Sequence, residues 1–339
     1  MIQEPRWARA VRAKDRRCAT PFTYRVTQYD PLDRDTDGFY IGEVDSISDE
    51  GPLEAAYLDA VDAFACELGV TRLTIRSPRL NGDSPDDAPR APGEMLATLF
   101  GKDLAGYVDG AHVDIPGARL LVQDMLREPA QRCLLEAEGR MLVDVGWDVY
   151  MYIGAATPCP VAVAGALAGG LFPEPFDMSP ADPADGTPDH GTDGSVPVGD
   201  TFWADVDRLS ASEGAVLLQE LGAWTRWHRL TADSPRVVLR PRAQVWVWPD
   251  LLPDVGAAIA SLPSDEGVTI VWLPAEGPLR ARDVMYDDLE EIPTLLAGAR
   301  AAMWRDGTED TAPLLEAFVA DDDGVIRSRG RTFNALCGL

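Results

Sequence analysis

The chain has 339 residues, of which 46% are hydrophobic and 25% charged, and a formal net charge of -26. So acidic a surface repels phosphate and anionic lipid, which argues against nucleic acid and membranes as partners and would steer in a basic protein. No apolar run of membrane-spanning length and no apolar signal region is evident, so the expected location is cytoplasmic.

The length accommodates about two domains. Residues 177–200 contain six Asp, four Pro and four Gly with no Lys or Arg, a composition that cannot offset its ordering entropy by burial. They read as a disordered linker between an α+β domain at 1–176 and a Trp-rich α+β domain at 201–339. The acidity is shared: 17 basic and 28 acidic residues before the linker, 13 and 22 after it. A local exception is the N-terminus, where Arg6, Arg9, Arg12, Lys14, Arg16 and Arg17 face only Glu4 and Asp15. The five cysteines, Cys18, Cys66, Cys133, Cys159 and Cys337, form no CxxC pair, and read as reduced thiols instead of a disulfide framework or zinc site.

In chain order, alternation from Phe22 to Gln28 predicts a strand followed by turn chemistry to Gly38. Leu53, Ala56, Tyr57, Ala60, Val61, Phe64 and Leu68 recur at helical spacing ahead of Gly69, and a strand should follow from Val70 to Ile75. Residues 81–93 read as a Pro/Asp loop, and Leu120–Arg127 as a helix halted near Pro129. Cys133–Leu135 and Met141–Ile153 read as the arms of a hairpin around Glu138 and Gly139. In the second half, helix is predicted most strongly from Ala215 to Arg229. A long strand from Val237 to Trp248 should bend at Pro241. A helix is predicted over 250–262, a hairpin from Val268–Leu273 and Leu279–Arg282, and a last helix from Pro293 to Trp304. No internal repeat is evident.

Asp33, Asp35, Asp37 and Gly38 match the first half of a calcium loop, but Val44 stands where a bidentate Glu belongs, so an Asp-rich turn is the expectation and no metal. Three histidines, His112, His190 and His228, leave few bases for a Cys or Ser nucleophile. GxSxG, HExxH, GxGxxG and a phosphate-binding glycine loop are all missing from the sequence, and no cofactor is expected. Seven of the nine tryptophans lie in the second half; Trp246 and Trp248 share a strand face and read as core. The densest aromatic stretch is Gly146–Gly154. As a strand it would put Trp147, Val149, Met151 and Ile153 on a core face, and Asp148, Tyr150 and Tyr152 on the other, as a candidate recognition surface.

Tyr24–Pro31, Ser46–Gly51, Leu126–Glu128, Gly146–Gly154 and Gly170–Glu174 resemble segments of a group of small uncharacterised bacterial proteins. These share a Tyr-Arg-Val-Thr-Lys-Tyr start and a Gly-Tyr-Asp-Tyr-Tyr-Met-Tyr-Ile-Gly strand, from which Gln28, Trp147 and Val149 depart here. The resemblance spans residues 22–176 and implies no activity. The leading expectation is a non-enzymatic protein-binding protein with candidate binding residues Asp148, Tyr150, Tyr152, Asp49 and Glu128. Its sharpest version neutralises a basic toxin, as an immunity protein does. The alternatives are an enzyme using Asp49, Glu128 or Asp148 with Tyr150 or Tyr152 as acid and base, and a structural assembly subunit.

Overall fold

The computed structural model describes residues 20–36, 40–42, 45, 47–80, 94–127, 131–146, 149–177, 196–263, 267–306, 312–321 and 324. The basic N-terminal segment, the 81–93 loop, Glu128, Trp147, Asp148 and most of the expected linker lie outside them. The fold is α+β.

The first part is built on a seven-stranded antiparallel sheet: β1 (Phe22–Thr27), β2 (Arg72–Leu80), β3 (His112–Asp114), β4 (Gln131–Ala137), β5 (Met141–Val145), β6 (Met151–Ala155) and β7 (Phe172–Pro175), in the order β3-β2-β4-β5-β6-β1-β7. Four helices, α1 (Pro52–Glu67), α2 (Glu94–Phe100), α3 (Ile115–Arg127) and α4 (Pro160–Ala168), join one core with the strand residues of a single face, among them Val26, Leu73, Ile75, Leu135, Val143, Met151 and Ile153. Pleat alternation turns Arg25, Arg76, Glu136, Leu142, Asp144 and Tyr152 to the opposite face.

α1 starts where Pro52 occupies the first turn and stops at Gly69, whose φ of +62° suits glycine. The strand expected from Gly146 to Gly154 is interrupted. β5 ends at Val145, the Gly146 N–H donates to the Tyr150 carbonyl at 2.6 Å, and Val149 takes a left-handed φ of +60° while staying buried. Gly146, Val149 and Tyr150 therefore belong to the connection between paired strands, and only Met151–Ala155 carries the predicted alternation.

The second part has four layers. β14 (Leu315–Phe318), β10 (Gln244–Pro249), β8 (Val216–Leu221) and β9 (Arg226–Leu230) form one sheet in that order, covered on one face by α5 (Asp200–Glu213). β12 (Arg280–Val284), β11 (Val268–Leu273) and β13 (Ala301–Asp306) form another, covered by α6 (Val255–Ala260) and α7 (Ile292–Leu295). The uncovered faces meet through Leu217, Trp227, Trp248, Val271 and Leu279. β8 lies between β10 and β9 in the first of these sheets, and β11 between β12 and β13 in the second.

Three expected elements differ in type or extent here. Ala215–Arg229 is the β8/β9 hairpin, because Gly214 (φ +86°) ends α5 and five consecutive residues of β8 are buried on both faces. The helix from Pro293 is a single turn, cut off at Gly298 (φ +78°) and followed by β13. β10 starts only at Gln244, since Pro241 and Arg242, with a φ of +58°, bend the chain. The expected linker also ends early: Val198 donates to the Phe318 carbonyl (2.8 Å) and Phe318 to that of Val196 (2.9 Å), which ties 196–198 to β14.

The two parts touch at the β8/β9 turn. Ala223 is buried in the core of the first sheet with Trp224 packed beside it, and its carbonyl accepts from Leu80 N–H at 2.6 Å. Arg242 Nη1 donates to the Asp109 carbonyl at 3.1 Å.

Candidate functional site

The helix-free face of the first sheet concentrates its polar and aromatic side chains where β5, β6, β1 and β7 run side by side. Cross-strand register puts Asp144 beside Tyr152, Tyr152 beside Arg25, and Arg25 beside Glu174. A single oxygen, Glu174 Oε2, accepts from Arg25 at 3.1 Å and from Arg34 at 3.2 Å. The Arg25 guanidinium stands 5.9 Å from the Tyr150 ring centroid and 5.3 Å from that of Phe176, and Arg34 lies 5.8 Å from Tyr150. Cation–π contacts of this kind hold a guanidinium in place without occupying its N–H donors.

The rings continue inward. Tyr150 meets Tyr29 at 5.4 Å, Tyr29 meets Tyr40 at 4.6 Å, and Tyr152 meets Phe176 at 5.2 Å. Tyr29 is buried and its hydroxyl receives the Asp45 N–H at 2.9 Å, while Gln28 N–H donates to the buried Tyr57 hydroxyl at 2.9 Å. The interior end of the cluster is thus fixed by the segment after β1 and by α1. Tyr150, Phe176 and Arg25 form its outer, half-exposed end.

Burial pushes the Asp144 carboxyl up to about 6 against the opposing charge of Arg132. Burial also raises the Tyr152 phenol, partly offset by the Arg25 charge. A carboxyl raised by burial beside a phenol and the Arg132 guanidinium is the kind of perturbed group that gathers at functional sites. Asp144 did not stand out as a candidate in the sequence. Its signal was an acid inside the otherwise apolar strand Met141–Val145.

The sequence candidates divide. Tyr150 and Tyr152 both belong to the cluster, Tyr150 half-exposed and Tyr152 buried at 9% exposure. Asp148 and Glu128 fall outside the described residues. Asp49 is placed at the start of α1, where its carboxylate accepts from the N–H groups of Gly51 (2.9 Å), Glu54 (3.0 Å) and Leu53 (3.2 Å). The Glu54 and Gly51 bonds hold that carboxyl below its usual range. It is a helix cap, and its neighbours show the same bracing. Buried Glu54 accepts from Ser48 Oγ (2.6 Å), Gln123 (2.6 Å) and both Nε and Nη2 of Arg127 (2.7 and 2.6 Å), locking α1 to α3.

Other candidate chemistry is dispersed. Cys159 is buried on the helix side near the Tyr24 hydroxyl, whereas His112 sits on edge strand β3 against Thr74 Oγ1 at 3.0 Å, so they make no dyad. His228 lies on buried Glu220. Cys66, Cys133 and Cys159 are free thiols. Trp246 and Trp248 do share a face, 5.9 Å apart, stacked on Arg305 between the two sheets of the second part. Among the described residues no group of three metal-ligating side chains converges, and no helix is long and apolar enough to cross a membrane. No protein-family model, curated protein or solved structure matches the chain.

Proposed function

We propose that the chain is a cytoplasmic, non-enzymatic protein-binding protein that engages its partner through the Tyr150–Arg25–Phe176 face, in the manner of an immunity protein. The observation that carries this reading is the half-exposed Tyr150 ring flanked by two braced guanidiniums. Tyrosine and arginine dominate the energetics of protein interfaces because they bring large contact area and directional donors at low ordering cost. The surrounding charge of -26 favours encounter with a basic partner. A second reading, acid–base catalysis, draws on the raised Asp144 carboxyl beside Tyr152; it requires a turnover that Asp144→Asn abolishes.

The test compares the immobilised full chain with a Tyr150→Ala, Phe176→Ala variant. Both rings are half-exposed, so the fold should survive with a loss of about 1–2 kcal/mol. The captured partner should bind more than about tenfold more weakly, or ~1.4 kcal/mol. Unchanged capture by a folded variant would remove this face from the account.

A further inference from the structure

On the other side of the first sheet, α4 packs on α1 and β7 and buries only Ala162 and Ala166. Its outward side shows Val161 at 74% exposure and Leu167 at 53%, with exposed Ala164, Gly165 and Ala168 among them. Helical spacing sets Val161, Ala164, Gly165 and Ala168 on one stripe. No described atom outside the helix stands within 4 Å of where a Gly165 side chain would start, so the stripe is open. Charge is missing as well: residues 149–173 contain no Asp, Glu, Lys, Arg or His, the longest such run in a chain of net charge -26. The neighbouring sheet edge is closed to strand addition. Phe176 N–H donates to the Thr23 carbonyl, so alternation turns positions 173 and 175 outward, and both are proline, without an N–H to give.

We propose that the outward side of α4 is a self-association surface, covered by α4 of a second copy in an antiparallel two-fold contact. Charge selects the occupant. Two acidic chains repel wherever their carboxylates meet, and a basic protein is drawn to those same carboxylates, whereas an uncharged apolar side neither repels a copy nor attracts a basic partner. A two-fold contact sets the patch against itself, apolar on apolar. The antiparallel arrangement keeps apart the two exposed Glu67 carboxylates, each of which accepts from Val161 and Ala162 N–H at 3.4 and 2.8 Å at the start of its own α4. A helix of this length is about 13 Å long and buries on the order of 400 Å² per copy, half of what a stable dimer needs, so the association is weak and reversible, with Kd about 0.1 mM. The contact lies opposite the Tyr150–Arg25–Phe176 face and does not depend on the binding reading.

The test is analytical ultracentrifugation of the full chain under reducing conditions, from about 5 to 500 μM, in low and in roughly 0.5 M sodium chloride. A monomer–dimer equilibrium is expected, and salt should tighten it about threefold or more by screening the repulsion between copies, the opposite of its effect on a contact with a basic protein. Val161→Glu and Leu167→Glu each put a charge into the contact and should weaken association at least about tenfold, while melting midpoints stay within about 3 °C of wild type because both sites are exposed. The Tyr150→Ala, Phe176→Ala variant should associate as wild type does. A chain that is monomeric at about 500 μM in high salt would overturn the proposal, as would association that salt weakens. So would a dimer that both glutamate variants leave at full strength, or one that the Tyr150→Ala, Phe176→Ala variant abolishes. Should a glutamate variant fail to fold, amide exchange of the wild-type chain decides: protection of Val161–Ala168 must rise between the two ends of the concentration range, and unchanged protection there would equally overturn the proposal.

Discussion

Replacing Glu220 by Ala is expected to cost about 3–5 kcal/mol of stability, the typical penalty for breaking a buried charge cluster from one side. Glu220 has no exposure, yet its carboxylate accepts from Arg226 Nε and Nη2 (2.8 and 2.7 Å), from Arg240 N and Nε (2.7 and 2.9 Å) and from His228 Nε2 at 3.3 Å. Its removal would strand the Arg240 guanidinium, whose side chain is only 16% exposed. Burial alone would raise the Glu220 carboxyl, but the His228 and Arg240 hydrogen bonds and the Arg240 charge outweigh it and hold the group at about 2. The folded value lies below the unfolded one, so this contribution is complete above about pH 4.5 and is lost as pH falls toward 2, a loss of about 3 kcal/mol. Urea titrations of wild type and Glu220→Ala at pH 7, 4 and 2.5 read both effects. The variant should be much weaker at pH 7 and should lose less than wild type over the acid limb. Equal stability at pH 7 would show that the cluster contributes nothing net.

Trp224→Ala is expected to uncouple the two parts of the chain. The Trp224 ring lies 4.4 Å from the Arg240 guanidinium and packs, with buried Ala223, on the core of the first sheet. Arg240 Nη2 also donates to the Trp224 carbonyl at 2.5 Å, so the Glu220 cluster sets the shape of the turn that docks. Truncating a half-buried tryptophan should cost about 2–3 kcal/mol, below the range for a fully buried one. The Leu80 amide, bonded to the Ala223 carbonyl, should lose protection in hydrogen exchange, and calorimetry should resolve two transitions where wild type shows one. Protection at Leu80 that survives the substitution would mean that the turn is held by other contacts.

The parts of this fold that were legible in the sequence are those where local pattern and tertiary burial agree. α1 carries helical periodicity, a first-turn proline and a terminal glycine, and β11 with β12 alternates around a Pro/Gly turn; both form within a few residues of expectation. Ala215–Arg229 failed because Leu217, Leu218, Gln219 and Glu220 are good helix formers, and only burial on both faces of a central strand decides otherwise. Pro293–Trp304 failed because a left-handed Gly298 redirects the chain after one turn. The candidate site was half legible. Tyr150 and Tyr152 stood out by density, but Arg25, Arg34, Glu174 and Asp144 come from β1, the turn after it, β7 and β5, and only strand order brings them together. Asp49 was misleading because a carboxylate before a helix reads alike as cap and as acid–base group until its hydrogen bonds are seen.

Amide hydrogen exchange of the full chain, alone and with its captured partner, tests the binding face most directly. The account predicts slowed exchange in β1, β7, at Val149 and Tyr150 and in the segment around Arg34, with residues 196–321 unchanged. Protection confined to the second part, or to the exposed side of α4, would contradict it.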